Sequence, residues 1–381
     1  MTSPTSTGTT RGTDSRPTVV AKSPGDLVAV VPYAFGFHPA DSLVLLELRR
    51  QGPSGRRRLG FAGRADLPGG PDAPTVAAVT APALDELLRQ LQPGSRVHVL
   101  VYDPDATTVA GVLAPGARAS ATVDHVRARL SASGVDVPEV LLVTADRWRS
   151  LSCDRTCCPA AGVPREDAAA DRIVAEAVGA GWSAAPDREA VLPLTVPVDA
   201  ERRRTAAAAT ARVRRRHADR PVAEVRREVV DAWEDELTGR LAGATRSLPP
   251  AAWCGRVLAV LDDVALRDAV LLSGCAGPRT DRSREALLAG EGTAALLSAA
   301  LDEEFDDRRG AVAAALAVDV ARHAAGPAAA QAWAVAAWLD WHAGRSVPAL
   351  ACAQEALVHD PDHRLARLVA AALVRALPAR R

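Results

Sequence analysis

Apart from one short piece at Leu192–Val198, every stretch of this chain with the length and composition of a β-strand falls before about residue 165, and that asymmetry limits the folds open to it. Ser42–Leu48, Arg58–Ala65, Val97–Tyr102 and Val140–Thr144 are short runs bounded by turn signals. Gly52, Pro53 and Gly55 turn the first run back into the second. Between the later runs lie two segments with helical periodicity. Val76, Leu84, Leu87, Leu88 and Leu91 make the apolar face of one, which ends at Pro93 and Gly94, and the other spans about Thr122–Ala132 and closes at Gly134. A further helix starts at Ser23, Pro24 and Asp26, a cap, a first-turn proline and an acid, and carries Leu27, Val30 and Val31 inward until Pro32 ends or kinks it. This order predicts an α/β or α+β domain with a mixed sheet over residues 21–165.

From residue 166 to 381 one helical pattern follows another, broken at Gly179–Pro186, Gly239–Pro250, Gly274–Pro278, Gly326–Pro327 and Gly344–Pro348. The one possible strand in this part is Leu192–Val198. An all-α region is therefore expected. Near its end Trp333, Gly344, Ala349, Ala356, Leu357 and Pro361 fall at tetratricopeptide-like (TPR-like) spacings, which predicts a helical hairpin over about 328–378. No second copy follows at a 34-residue offset, so the hairpin reads either as ordinary packing or as a peptide-binding groove.

Eighty alanines against four Phe, two Tyr and seven Trp mean helices that approach closely and bury little area each. Lys+Arg and Asp+Glu are both 46, and Lys22 is the single lysine. Global neutrality argues against a nucleic-acid or membrane partner. The segment Glu201–Arg220 holds eight arginines against Glu201 and Asp219, while residues 221–240 hold six acids and three arginines, so two helices with complementary faces are expected there. Residues 1–20 read as a disordered tail without the apolar run of a signal peptide. No stretch reaches the roughly 18 apolar residues of a membrane span, and a cytoplasmic location follows as the expectation.

In a reducing compartment cysteines matter by their spacing. Cys153, Cys157 and Cys158 lie within six residues of one turn-rich loop, Ser152–Pro159, beyond the Trp148–Arg149 pair. Three thiolates with one outside ligand suit zinc or another soft metal, although the spacing matches no standard zinc or iron–sulfur pattern. A buried structural loop and a reactive thiol, its pKa lowered by Arg149 and Arg155, are the other two readings.

A second unusual segment is Gly36-Phe37-His38-Pro39-Ala40-Asp41-Ser42, which gathers His38, Asp41 and Ser42 ahead of the first strand. These are candidate base, orienting acid and nucleophile, set against a polar turn in which Asp41 and Ser42 bond to backbone. Arg64 and Asp66 end the second strand and come close either to this loop or to the cysteine loop; otherwise they form a surface pair. The remaining histidines are scattered, and His359 and His363, separated by Pro361, read as solvated. The chain contains no Walker loop, Gly-x-Gly-x-x-Gly or calcium loop.

The combination of Val31-Pro32-Tyr33, Gly36-Phe37-His38-Pro39, Ser42-Leu43-Val44, Arg64-Ala65-Asp66-Leu67, Cys153, Cys157-Cys158-Pro159 and Gly162 resembles an actinobacterial family, domain of unknown function 4192. Trp338, Gly344, Asp360-Pro361 and Leu365-Ala366 extend the resemblance to nearly the whole chain. It implies no activity and assigns no role to any residue. The expected function is a cytoplasmic regulatory or small-ligand-binding protein with a polar, cysteine-lined pocket in the first domain and a protein partner on the C-terminal helices. The alternatives are an enzyme using metal-assisted hydrolysis or thiol chemistry at Cys153, Cys157 and Cys158, and a helical interaction scaffold.

Overall fold

A computed structural model describes residues 19–50, 57–153, 158–166, 168–179, 182–217, 220–243, 248–292 and 294–375. The elements run α1 (Pro24–Phe35), β1 (Ser42–Arg50), β2 (Arg57–Asp66), α2 (Ala73–Gln90), β3 (Arg96–Tyr102), β4 (Thr107–Val109), β5 (Val112–Ala114), α3 (Ala117–Ala132), β6 (Asp136–Val143), β7 (Arg147–Ser150) and β8 (Val163–Pro164). Helices follow: α4 (Ala168–Gly179), α5 (Ala200–His217), α6 (Val222–Leu241), α7 (Ala251–Leu258), α8 (Val264–Leu271), α9 (Pro278–Ala289), α10 (Ala294–Glu304), α11 (Asp307–Ala321), α12 (Gly326–His342), α13 (Ser346–His359) and α14 (Arg364–Val374). The N-terminal half thus holds a mixed sheet and the C-terminal half is mostly helical.

The sheet has the order β2-β1-β3-β6-β7-β8. Its centre is parallel: β3 pairs with β6 in a register that sets Leu100 opposite Leu141 and Tyr102 opposite Val143. The connection between them passes through the β4–β5 hairpin and α3, whose Val123, Val126 and Leu130 are buried. β7 and β8 then add antiparallel strands, with Val143 opposite Trp148 and Trp148 opposite Val163. The C-terminal halves of β3 and β6 are buried throughout, as strands in the middle of a sheet are.

The chain divides into two compact units. One takes residues to 46, 64–80 and 96–186; the other takes 47–63, 81–95 and 187 onward. In the first, Ser23 caps α1 by accepting from the Asp26 amide, as its sequence demands. The helix does not stop at Pro32. Only one backbone bond is lost there, Val28, Val31 and Pro32 are buried together, and the helix ends at Gly36, whose φ of 81° is the left-handed cap that glycine adopts without cost. α4 packs on α1, and Arg172 reaches the buried Asp26 carboxylate at 2.8 Å.

In the second unit the buried Glu47 accepts from the Phe61 amide, the Gln92 amide, Ser95 Oγ and Arg49 Nε. Burial pushes its carboxyl upward, but these four donors outweigh it and hold the group below its ordinary value. The helical core centres on Trp233, stacked on Trp253 at 6.1 Å, and on α12, which is buried over most of its surface and packs against α11 and α13. Leu192–Val198 is not a strand: Pro193 and Pro197 remove donors, and the segment is irregular after a short 3-10 turn at Glu189–Val191.

Candidate functional site

The structure brings the polar loop and the Arg64–Asp66 segment together at one end of the sheet. α1 ends at Gly36, whose carbonyl accepts from the Ala185 amide while the His38 amide donates to Ala185 O. Phe37 is buried and His38 is exposed. Asp41 adopts a φ of 46°, a left-handed conformation that aspartate tolerates better than most residues, and its carbonyl accepts from the Leu67 amide at 2.8 Å. Ser42, fully buried at the start of β1, donates to Ala40 O at 2.5 Å and accepts from Arg64 Nε at 2.9 Å. Arg64 Nη1 in turn meets Asp66 at 2.5 Å. The Ser42 hydroxyl proton points at a backbone carbonyl, and among the described residues no imidazole bonds to it. Ser42 therefore ties the loop to β2, and a His38–Ser42 nucleophile pair is not formed in this geometry.

The residues that complete this end of the sheet come from the C-terminal ends of the parallel strands, where α/β sheets place ligands. Asp103, the buried residue after β3, accepts from the Asp105 and Gly116 amides at 3.0 and 2.7 Å and so fixes the start of α3. Arg118, in the first turn of α3, is bonded to Asp41 and to Asp105. Beyond β6, Arg165 Nη1 donates to the carbonyls of Thr144 and Ala145 at 3.0 and 3.3 Å. Among the described residues it has no carboxylate partner.

Arg165 acts electrostatically on two neighbours. Partial desolvation of the ring, then the Arg165 charge, lowers the His38 pKa. Burial raises the Tyr102 phenol far above its usual range, with Arg165 opposing it weakly. The Tyr102 hydroxyl is enclosed and has no hydrogen-bond partner among the described residues. Asp103, Asp105, Arg118, Arg165 and Tyr102 were not legible as site residues, although Tyr102-Asp103-Pro104-Asp105 directly after a strand was the signal that would have pointed to them.

A family model described as Domain of unknown function (DUF4192) matches residues 24–380. The chain belongs to the DUF4192 family. No curated protein and no solved structure matches it.

In this DUF4192 chain Ser152 and Cys153, where the cysteine loop begins, lie back along β6 from the polar cluster. The Ser152 hydroxyl accepts from the Val140 amide at 3.2 Å, three residues back along β6 from Val143, a distance of roughly 10 Å at about 3.3 Å per residue. Cys153 follows directly and is half-buried, as is Cys158; Cys157 lies outside the described residues. Among the described residues no three His, Cys, Asp or Glu side chains converge as metal ligands. Beside Ser152 an open depression of about 440 Å³ is lined by Arg127, Ser131, Val135, Val137 and Leu151. Arg127 is already bonded there to Leu151 O and Ser152 Oγ.

The other titratable groups of the DUF4192 fold correct two expectations. His363 is not solvated: its Nδ1 caps α14 at the Ala366 amide and its Nε2 meets Gln331 at 2.8 Å, with burial lowering its pKa. His323 and His342 are buried. The acids of α6 do not neutralise α5. Glu224 and Glu228 pair with Arg220, which lies between the two helices, and Glu234 with Arg284 and Arg309. α5 packs on α7 instead. Among the described residues no helix is long and apolar enough to cross a membrane.

Proposed function

We propose that the first unit is a binding module for a small ligand carrying a carboxylate or phosphate group. The observation that carries this reading is Arg165, a guanidinium held by two backbone carbonyls and, among the described residues, opposed by no acid, together with His38 and with a Tyr102 hydroxyl that has no partner among those residues, at the C-terminal ends of β3 and β6. A guanidinium in this state keeps donors for a bidentate anion, and a buried hydroxyl without a partner gains a bond when one arrives. The Arg64–Ser42 and Asp41–Arg118–Asp105 links hold the surrounding loops in place.

The test is calorimetric titration of the full chain with a panel of small carboxylates and phosphate esters. Binding that weakens at least tenfold in Arg165→Ala and is reduced in Tyr102→Phe supports the reading. A panel without any binder, or one whose affinity ignores Arg165, removes it. Tyr102→Phe separates a ligand role from a structural one, because deleting a hydroxyl without a partner leaves the fold as stable as before.

The helical unit is read as the regulatory, partner-binding half of a cytoplasmic protein, with α12 to α14 as its TPR-like hairpin. Gly344 (φ 74°) between α12 and α13, and the exposed Val358 and Leu368, support this. Loss of a defined protein partner on Leu368→Asp, with the fold intact, is the expected result; retention of that partner removes the reading.

A further inference from the structure

α5 carries a face of arginines that nothing among the described residues neutralises. Arg203, Arg204, Arg212, Arg215 and Arg216 are exposed, and none of their side chains has a hydrogen bond or ion pair among the described residues. Their neighbours behave differently: Arg202 is bonded to His323 and Pro249 O, Arg214 to Ala259 O with Asp262 at 3.6 Å, and Arg220 to Glu228. The segments outside the described residues hold single acids, such as Asp14, Asp154 and Asp219, and no acidic run that would cover five cations. A chain with 46 acids for 46 bases has thus left one helix face positive. Helix electrostatics explain only part of it. Arg212, Arg215 and Arg216 suit the C-terminal end of α5, but Arg203 and Arg204 stand in its first turns, where the helix dipole disfavours cations.

The arrangement on the helix narrows the partner. Ala206 and Ala209 are buried against α7, and at about 100° per residue the arginines fan across the opposite side. Arg203 lies on one flank, Arg212 and Arg216 on the other, with Arg204 and Arg215 between them beside Ala207, Ala208 and Ala211. The two ends of this face, Arg203 and Arg216, are roughly 20 Å apart at about 1.5 Å per residue. A flat anionic membrane meets one flank only, and the face offers no large apolar side chain to insert. A groove with anionic walls meets both flanks of a slim, alanine-tipped helix at once. The major groove of B-form DNA has that width and those phosphate walls.

We propose that the exposed face of α5 binds the phosphate backbone of duplex DNA, seated at the major groove. Binding is electrostatic and independent of base sequence, since phosphate contacts position a protein without reading bases. This surface belongs to the helical unit and does not rest on the small-ligand reading.

The test is fluorescence anisotropy of the full chain with a labelled 20-base-pair DNA duplex of arbitrary sequence, between 50 and 200 mM salt. Five phosphate contacts predict an affinity that falls roughly 500-fold over that range. The variant Arg203→Gln, Arg204→Gln, Arg212→Gln, Arg215→Gln, Arg216→Gln is expected to lose binding at 50 mM salt with an unchanged helical circular dichroism signal. If it fails to fold, Arg212→Gln with Arg215→Gln is expected to lower the salt slope by about two. Absence of binding at 50 mM salt, equal binding by the variants, or preference for A-form RNA, for phosphatidylserine vesicles or for poly-glutamate would each overturn the proposal.

Discussion

Arg64 Nε lies 2.9 Å from Ser42 Oγ, and this bond joins the start of β1 to the end of β2 behind the polar loop. Ser42 is fully buried, whereas the side chain of Asp66, the other partner of Arg64, is 64% exposed. The two contacts therefore carry different weight. Ser42→Ala leaves Ala40 O without its donor and Arg64 Nε without its acceptor in a dry setting, at a cost of about 1–3 kcal/mol. Asp66→Ala removes a solvent-screened ion pair worth about 0–1 kcal/mol. Urea denaturation of both variants checks the order, and equal losses would show that the Ser42 link is not structural.

α5 and α7 touch backbone to backbone at Gly255. A Cβ there would stand 2.2 Å from Ala206 O and 2.8 Å from Ala209 Cβ, and Thr210 Oγ1 also donates to Gly255 O at 2.9 Å. No rotamer change relieves a clash with a carbonyl oxygen. Gly255→Ala is expected to separate the helices and cost about 1–3 kcal/mol or more. A thermal melt indistinguishable from wild type would mean that α5 is not held in this way, and the DNA-binding face would lose its scaffold.

The sequence located the strands that have length on their side. Ser42–Leu48, Arg58–Ala65, Val97–Tyr102 and Val140–Thr144 match β1, β2, β3 and β6 to within a few residues. β7 and β8, four and two residues long, are too short to show alternation. The His38–Asp66 cluster was visible because its residues are chemically unusual and close to strand ends. Arg118 and Arg165 were not, because their placement depends on which strand lies beside which, and strand order is set by packing over a hundred residues of chain. The same limit applies to residues 201–240, where opposite charges adjacent in sequence suggest a pairing that the packing does not make. Instead α5 turned its arginines to solvent, and α6 found partners on α9 and α11.

Acid sensitivity is expected from His323. Arg202 Nε donates to its Nε2 at 3.2 Å, so the ring proton sits on Nδ1, which donates to Asp319 O at 2.7 Å. Burial first, and the charges of Arg202 and Arg322 with it, lower its pKa, against the opposing pull of Asp319. The unfolded chain then binds a proton near pH 6.5 that the folded chain refuses, and stability from this group is lost as pH falls through that value. His38 and His363 are shifted in the same direction. Between pH 7.5 and 5.5 the urea midpoint of wild type should fall relative to that of His323→Gln, whose side-chain oxygen accepts from Arg202. Parallel pH profiles for the two proteins would refute this assignment.

Asp340 has the opposite sign. It lies buried on α12 with Arg345 3.5 Å away, and its Oδ1 has no hydrogen-bond partner among the described residues. Burial, opposed by the Arg345 charge, pushes its carboxyl up to about 7. The neighbouring Cys352 thiol on α13 is raised by burial and then by Asp340. Between the ordinary carboxylate value and pH 7 the folded chain holds a proton that the unfolded chain has released. Stability from this group is therefore greatest at low pH and declines until about pH 7. Asp340→Asn cannot ionise, so its stability relative to wild type should improve by on the order of 4 kcal/mol from pH 4 to pH 8. His323 and Asp340 slope in opposite directions between about pH 5.5 and 7 and oppose each other there, so the wild-type curve should rise less over that range than the curve of Asp340→Asn, which keeps only the histidine rise. A variant whose pH profile runs parallel to that of wild type would show that Asp340 is ionised in the fold across this range.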